Sequence, residues 1–479
     1  MASLAHVGSP DTFFVGNAGP FQIRVATRLP GVIPGRGQVT VRVLNAAAHP
    51  PGVVTVRAGQ WNVGIDGAPP PETARPVPGD ADLYAAELWF MTPSSYVLFV
   101  SVNGRTGSGT ALVPMMALAT SQGALGPGLG VLLGAMGMFL VAGLVTIVGA
   151  AVRESVLAPG VAPDSRRRRR SRIAMAASAL LLGSALLGGR LWWKVEASAY
   201  RESVLYRPFR SEVGVREDHG RLRLTLSIRD PRWTGPHNPL SRYNTLTPDH
   251  GKLMHMFLIR SQSGDVLAHV HPTPRTPDAL DFDVDVPPVP AGRYAVFADI
   301  VHESGYAQTM TAPVDIPFTD RGSSRAGDPD DSWFEGASAS EAAEAQFQCS
   351  DGSRITWHRG TQAFDAQQER TLMFSARDEA GRPLAIEPYM GMAAHVLVMR
   401  DDGSVFVHLH PAGSISMAAL QRFSAEWPDL AGVHASHEHQ MDSDISIPFA
   451  FPTPGRYHVW VQMKHEGHVV TAAFDAAVR

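Results

Sequence analysis

Two stretches of this chain set three histidines close enough together to share a metal ion. The first begins Asp249-His250-Gly251-Lys252-Leu253-Met254-His255 and stays apolar to Ile259 and Arg260. It turns through Ser261-Gln262-Ser263-Gly264-Asp265 and ends Ala268-His269-Val270-His271-Pro272. Apolar runs either side of a Gly/Asp turn spell a β-hairpin. With the turn centred near Gln262, His255 stands opposite His269, and His271, two residues on, shares its face. Neutral imidazole ligates zinc, copper, nickel and iron, and a hairpin is a rigid frame for three of them. The second stretch runs Met390-Gly391-Met392-Ala393-Ala394-His395 to Met399, turns through Arg400-Asp401-Asp402-Gly403, and closes Val407-His408-Leu409-His410-Pro411. A turn between Asp401 and Asp402 sets His395 opposite His408, with His410 beside it.

The correspondence extends further. Pro290-Ala291-Gly292-Arg293-Tyr294 answers Thr453-Pro454-Gly455-Arg456-Tyr457, and after each Tyr comes a His-Glu pair, His302-Glu303 and His465-Glu466. The second half of the chain is therefore a tandem duplication. His302 and His465 are candidates for a fourth nitrogen, and Glu303 and Glu466 for groups that orient a ligand histidine. Copper suits an imidazole-rich site, with thioethers on offer from Met254, Met256, Met390, Met392 and Met441. Alternation along the strand turns Met254 and Met256 away from His255, which reads as core. Zinc on three histidines with an open position is the alternative. The competing reading is that the imidazoles only hydrogen-bond across a sheet.

Two further groups could hold metal. One is the loop carrying His434, His437, His439 and Met441. The other is His6: Ser3-Leu4-Ala5 ends like a signal-cleavage site, and a chain cut there would offer copper an amino group and an imidazole. Either a fuller signal precedes the first Met or the first membrane helix directs export. Of 19 histidines, only His6 and His49 precede residue 200. The single cysteine, Cys349, excludes a disulfide framework or a Cys-rich metal site and reads as a buried small residue or a free thiol. A net charge of −4 gives no field for nucleic acid. His465-Glu466-Gly467-His468 lacks the spacing of a zinc protease, and no nucleophile triad, P-loop or dinucleotide fingerprint is present, so no enzyme is expected.

These hairpins need a frame. Residues 1–118 alternate in short strands split by Pro/Gly turns, the pattern of a β-sandwich. Residues 125–152 and 173–193 are apolar runs long enough to span a bilayer, the second ending in Arg190, Trp192, Trp193 and Lys194. Gly130-x-x-x-Gly134 has the spacing that lets helices approach, though glycine is also common in any membrane helix. Between the runs, loop 153–172 carries Arg153, Arg166 through Arg170, and Arg172, which should hold it in the cytoplasm. Both flanking parts then face the far side of the membrane. Neither run holds an acidic residue or a histidine, which argues against an ion pathway. Strand patterns resume over 206–318 and 347–479, joined by a Gly/Ser/Asp-rich linker over 319–346. The expected fold is mainly β: three immunoglobulin-like β-sandwich domains plus two transmembrane α-helices.

The Asp249-His250-Gly251-Lys252-x-Met254-His255 to His269-x-His271-Pro272 pattern resembles that of bacterial extracytoplasmic immunoglobulin-like domains of the YtkA/FixH-like type. Met392 to Pro411 resembles the same type without the Asp-His-Gly-Lys lead-in. The opening His6-Val7-Gly8-Ser9-Pro10-Asp11 is similar to the mature start of membrane proteins of this architecture. The resemblance implies an envelope location and a copper theme. The expected function is a membrane-anchored metal-binding protein that chaperones, buffers or delivers copper, with the bilayer and a membrane or copper-handling protein as partners. The alternative is a metal-free scaffold docking a cation pump or oxidase assembly.

Overall fold

The computed structural model describes residues 11–123, 125–158, 160–218, 220–233, 241–276, 279–318, 327–339, 341–431 and 441–479. The candidates His6, His434, His437 and His439 lie outside them. The chain divides into two units, residues 119–206 and everything else.

The larger unit opens with β1 (Thr12–Ala18), β2 (Phe21–Arg28), β3 (Gly35–Val43) and β4 (Pro51–Gln60). Then come β5 (Glu72–Val77), β6 (Asp80–Phe90), β7 (Ser94–Gly104) and β8 (Gly107–Ala117). Alternation makes these strands: in β3, Val39, Val41 and Val43 are buried while the residues between them are not. All eight join in one antiparallel order, β1-β2-β3-β6-β5-β4-β7-β8, where two separate sheets were expected. The sheet curls until β1 meets β8, where a Cβ on Gly109 would collide with the backbone of Gly19.

The smaller unit is two helices, α1 (Pro127–Glu154) and α2 (Ser165–Ser203), both long and apolar enough to cross a membrane. The arginine run is helical rather than looped. It forms the first turns of α2, capped where the Asp164 carboxylate accepts the Arg167 amide at 2.6 Å. The helices touch at Gly149, whose carbonyl accepts the Ser171 hydroxyl at 2.6 Å. Gly130 and Gly134 face open space instead.

The duplicated half begins with β9 (Ser211–Asp218), β10 (Arg221–Ile228), β11 (His255–Arg260) and β12 (Val266–Val270). It continues with β13 (Thr273–Pro274), β14 (Asp281–Asp285), β15 (Gly292–Val301) and β16 (Ala307–Ile316). The supposed linker is not all linker: β17 (Ser332–Glu335) lies within it and pairs with β12. Two sheets result, β13-β14-β10-β9 and β16-β15-β11-β12-β17. The second copy is built from β18 (Glu344–Gln348), β19 (Arg354–His358), β20 (Arg370–Arg377), β21 (His395–Arg400) and β22 (Phe406–Leu409). After an insertion holding α3 (Met417–Glu426) and α4 (Pro428–Ala431) come β23 (Asp444–Phe449), β24 (Gly455–His465) and β25 (His468–Val478). Its sheets are β18-β19-β20-β23 and β22-β21-β24-β25.

Period-two alternation decides what each hairpin faces. In β11 and β12 the even residues Met256, Leu258, Ala268 and Val270 fill the core of the first copy. The odd residues Phe257, Ile259 and Leu267 turn outward, to meet Leu397, Met399 and Phe406 from β21 and β22. These side chains form a separate core between the copies, with Phe297 stacked on Phe406 at 4.2 Å. The hairpins are thus buried on both faces, and the histidines lie on the shared one.

Candidate metal centre

Strand register places the imidazoles. Phe257, not His255, sits across from His269, so His255 falls opposite the position of His271. The second hairpin repeats this: Leu397 faces His408, which sets His395 opposite the position of His410. Each turn is thus centred one residue further along than expected, and because the pairing shifts by two, no side chain changes face. His255, His269 and His271 still converge, as do His395, His408 and His410, the donor atoms of each triad lying within 4.8 Å of one another.

Hydrogen bonds at the outer edges of the rings fix where the lone pairs point. The Asp249 and Tyr389 carbonyls can only accept, so the Nε2–H of His255 donates to one at 3.0 Å and that of His395 to the other at 3.1 Å. In the neutral ring Nδ1 then carries the lone pair. His269 is held from the opposite side. Its Nδ1 lies 3.0 Å from Gln462 Oε1 and 3.1 Å from the Tyr389 hydroxyl, whose own proton goes to the Asp330 carbonyl at 3.1 Å. Nδ1 is the donor there, so Nε2 of His269 faces Nδ1 of His255 at 3.2 Å, lone pair to lone pair. In the second triad His395 Nδ1 faces His408 Nε2 at 2.8 Å, with His408 Nδ1 turned toward the Asp299 carboxylate at 3.6 Å.

The third member of each triad adds to the same pattern. His271 donates Nδ1–H to Asp331 at 2.9 Å, and its buried Nε2 has no hydrogen-bond partner among the described residues. Both ring nitrogens of His410 are buried without one. Orphaned acceptors of this kind cost free energy unless something positive sits between them. A proton is a poor answer. Burial, and then the neighbouring imidazoles, push His255, His269, His395 and His410 well below the ordinary histidine range. The rings are held in the neutral form that ligates a metal.

The two triads form one cluster. His255 and His408 have ring centroids 5.6 Å apart, and His269 lies 6.1 Å from His395. The Asp-His-Gly-Lys lead-in ties it together. Asp249 accepts the Ala418 amide at 2.9 Å and the Ser416 hydroxyl at 3.1 Å, capping α3 of the other copy. His250 reaches the second triad. Gly251 takes φ 80°, a left-handed conformation that glycine adopts at no steric cost. Lys252 pairs with Asp328 at 2.6 Å, within the acidic turn that holds His271.

Other expectations are corrected. His302 is buried away from the cluster, bonded through Nδ1 to the Asn244 carbonyl at 2.6 Å and ringed by Phe209, Trp233 and Tyr243. His465 is half-buried and bonds to the Ala385 carbonyl at 2.6 Å. Glu303 and Glu466 are exposed; the carboxylate bonded to a triad histidine is Asp331, while Asp299 lies 3.6 Å from His408. Sequence reasoning passed over these two because neither lies beside a histidine in the chain. Met254 and Met256 are core, and Met441 packs on the core of the second copy. Cys349 is buried, which pushes its thiol up to about 11.

A family model described as "Domain of unknown function (DUF8832)" matches residues 219–317 and 347–479, the two copies described above. No curated protein matches the chain. Among solved structures, the chicken CNTN1 FN1-FN3 domains are 10% identical, with 95% of this chain and 97% of that one covered at a TM-score of 0.15. Dimeric latent PorU from Porphyromonas gingivalis is 7% identical, with 98% of this chain and 34% of that one covered at a TM-score of 0.14. Scores at this level do not establish a shared fold.

Proposed function

We propose that this chain is a membrane-anchored protein that holds a transition metal, copper above all, in its paired histidine triads and buffers it or passes it to a partner in the cell envelope. The observation that carries the reading is the first triad, where outer hydrogen bonds aim the lone pairs of His255 and His269 at each other in a buried interface, and the second triad repeats its placement. Nitrogen donors favour Cu(II) over the other divalent first-row metals, with zinc the next candidate for three imidazoles and an open position. The donors of the two matched segments are consistent with the metal theme of YtkA/FixH-like immunoglobulin-like domains.

Access is supported by a cavity of about 490 Å³ whose walls include Arg223, Arg275, Asp283 and Asp328 and which reaches His271. The arginines at the start of α2 and Arg153 in the last turn of α1 favour a cytoplasmic turn, leaving the triads on the opposite side of the membrane.

The test is copper titration of the full-length protein in detergent beside a His269→Ala/His271→Ala/His408→Ala/His410→Ala variant. One tight copper per triad, lost from a variant that remains folded, supports the reading. Equal uptake by both proteins, or none by either, contradicts it and returns the histidines to a structural role.

A further inference from the structure

His250 belongs to the first copy yet sits with the triad of the second. Its ring centroid lies 4.9 Å from that of His410 and 5.3 Å from that of His395, against 6.1 Å from His255 in its own copy. The spacings within the second triad are 5.1, 5.0 and 4.6 Å, so His250 stands off from His410 and His395 by close to what the triad's members do from each other. Its side chain is 5% exposed, and Nε2 has no hydrogen-bond partner among the described residues; Asp249, the nearest carboxylate, is 3.9 Å away. The backbone is also unusual. His250 has φ 51°, a left-handed conformation in which a residue with a Cβ is strained. Strain of this kind persists where surrounding contacts over-determine it. Here the Asp249 cap on α3 and the Lys252–Asp328 ion pair clamp the turn on both sides.

We infer that His250 is the fourth ligand of the second triad, supplied across the interface, so that a metal bound there staples the two copies of the duplicated domain together. The inference rests on the metal-binding reading above and extends it. The second copy has the same turn, with Met390 at φ 51° and Gly391 at φ 82° in the places of His250 and Gly251. Imidazole therefore stands at this position in one copy only, and the two metal sites are chemically unequal: four nitrogens in the second, three in the first.

The test uses the full-length protein in detergent, titrated with Cu²⁺ and followed by competition with a chelator and by electron paramagnetic resonance. The variants are His250→Ala and His250→Gly. Glycine relieves the left-handed backbone while alanine does not, so comparing the two variants, each with its thermal midpoint measured, separates ligand loss from unfolding. The expected result is that the parent binds one copper per triad and both variants weaken one of the two by more than about tenfold, the least that even outer-shell changes cost. The resonance of that copper should change and the other remain. If both variants bind two coppers with the parent's affinity and spectrum, His250 is no ligand and the triads stand alone. If the parent itself binds no copper, the inference falls together with the reading it extends.

Discussion

In the first triad His255 and His269 stand 3.2 Å apart with lone pairs opposed, an arrangement that hydrogen bonding between the two rings does not satisfy. Neutral His255 and His269 could satisfy each other only if one of them gave up its outer bond, to Asp249 or to Gln462 and Tyr389. Those outer bonds choose the tautomer, as second partners of metal-bound histidines do. A prediction belongs to this scale. Asp331→Asn removes the carboxylate that receives the His271 Nδ1 proton and should weaken metal at the first triad by roughly 10- to 100-fold, leaving the second unchanged. Competition titration of the variant checks it; equal loss at both triads would contradict it. The six triad histidines were legible because alternation is insensitive to a turn misplaced by one residue. His250 was harder to see. Its signal was present, a His before Gly in a turn that the second copy repeats as Met390-Gly391, but nothing local says that a turn will reach into a neighbouring domain.

Strands and turns carry the positioning. The histidine face continues into Phe257, Phe297 and Phe406, which seal one side of the cluster from water. Phe406→Ala should therefore cost about 3–5 kcal/mol, read as a fall in the thermal midpoint of the metal-free protein. A midpoint unchanged from the parent would show that the face is not packed as described. That both faces of each hairpin are buried could be suspected from the unbroken apolar runs Phe257-Leu258-Ile259 and Val396-Leu397-Val398, but which sheet covers the second face is a tertiary fact. The pH response belongs to another element, the turn after β10. Burial raises the Asp230 carboxyl, yet hydrogen bonds from the Arg232 side chain and from the Arg232 and Arg210 amides outweigh it and hold the group at about 2. A lowered carboxyl stabilises the fold above its unfolded value, near 3.8, and the contribution is lost as pH falls toward 2. The size is on the order of 2 kcal/mol. Asp230→Asn should remove that slope from a plot of stability against pH between about 4 and 2; an unaltered slope would mean that other carboxylates carry it.

The whole molecule joins two apolar helices to a β-rich unit whose clusters of metal-ligating side chains, among the described residues, all lie in the duplicated half. The helices were legible from length and composition, and so was the arginine run, although the boundary between loop and helix was not, since Asp164 caps α2 ahead of the arginines. Under the proposed topology, replacing Arg166 through Arg170 with alanine should remove the charge bias toward a cytoplasmic turn. Protease protection of the termini in sealed membranes is then expected to show mixed orientations for the variant and one for the parent; a single orientation in both would contradict the proposed topology.

The most direct measurement is anomalous diffraction at the copper edge from crystals of the full-length protein grown with copper. The account expects one peak within bonding distance, about 2 Å, of His255 Nδ1, His269 Nε2 and His271 Nε2. A second peak should lie among His395 Nδ1, His408 Nε2, a ring nitrogen of His410 and His250. Crystals from copper-soaked protein with no anomalous density between these rings, or with density only at residues 434–439, would contradict it.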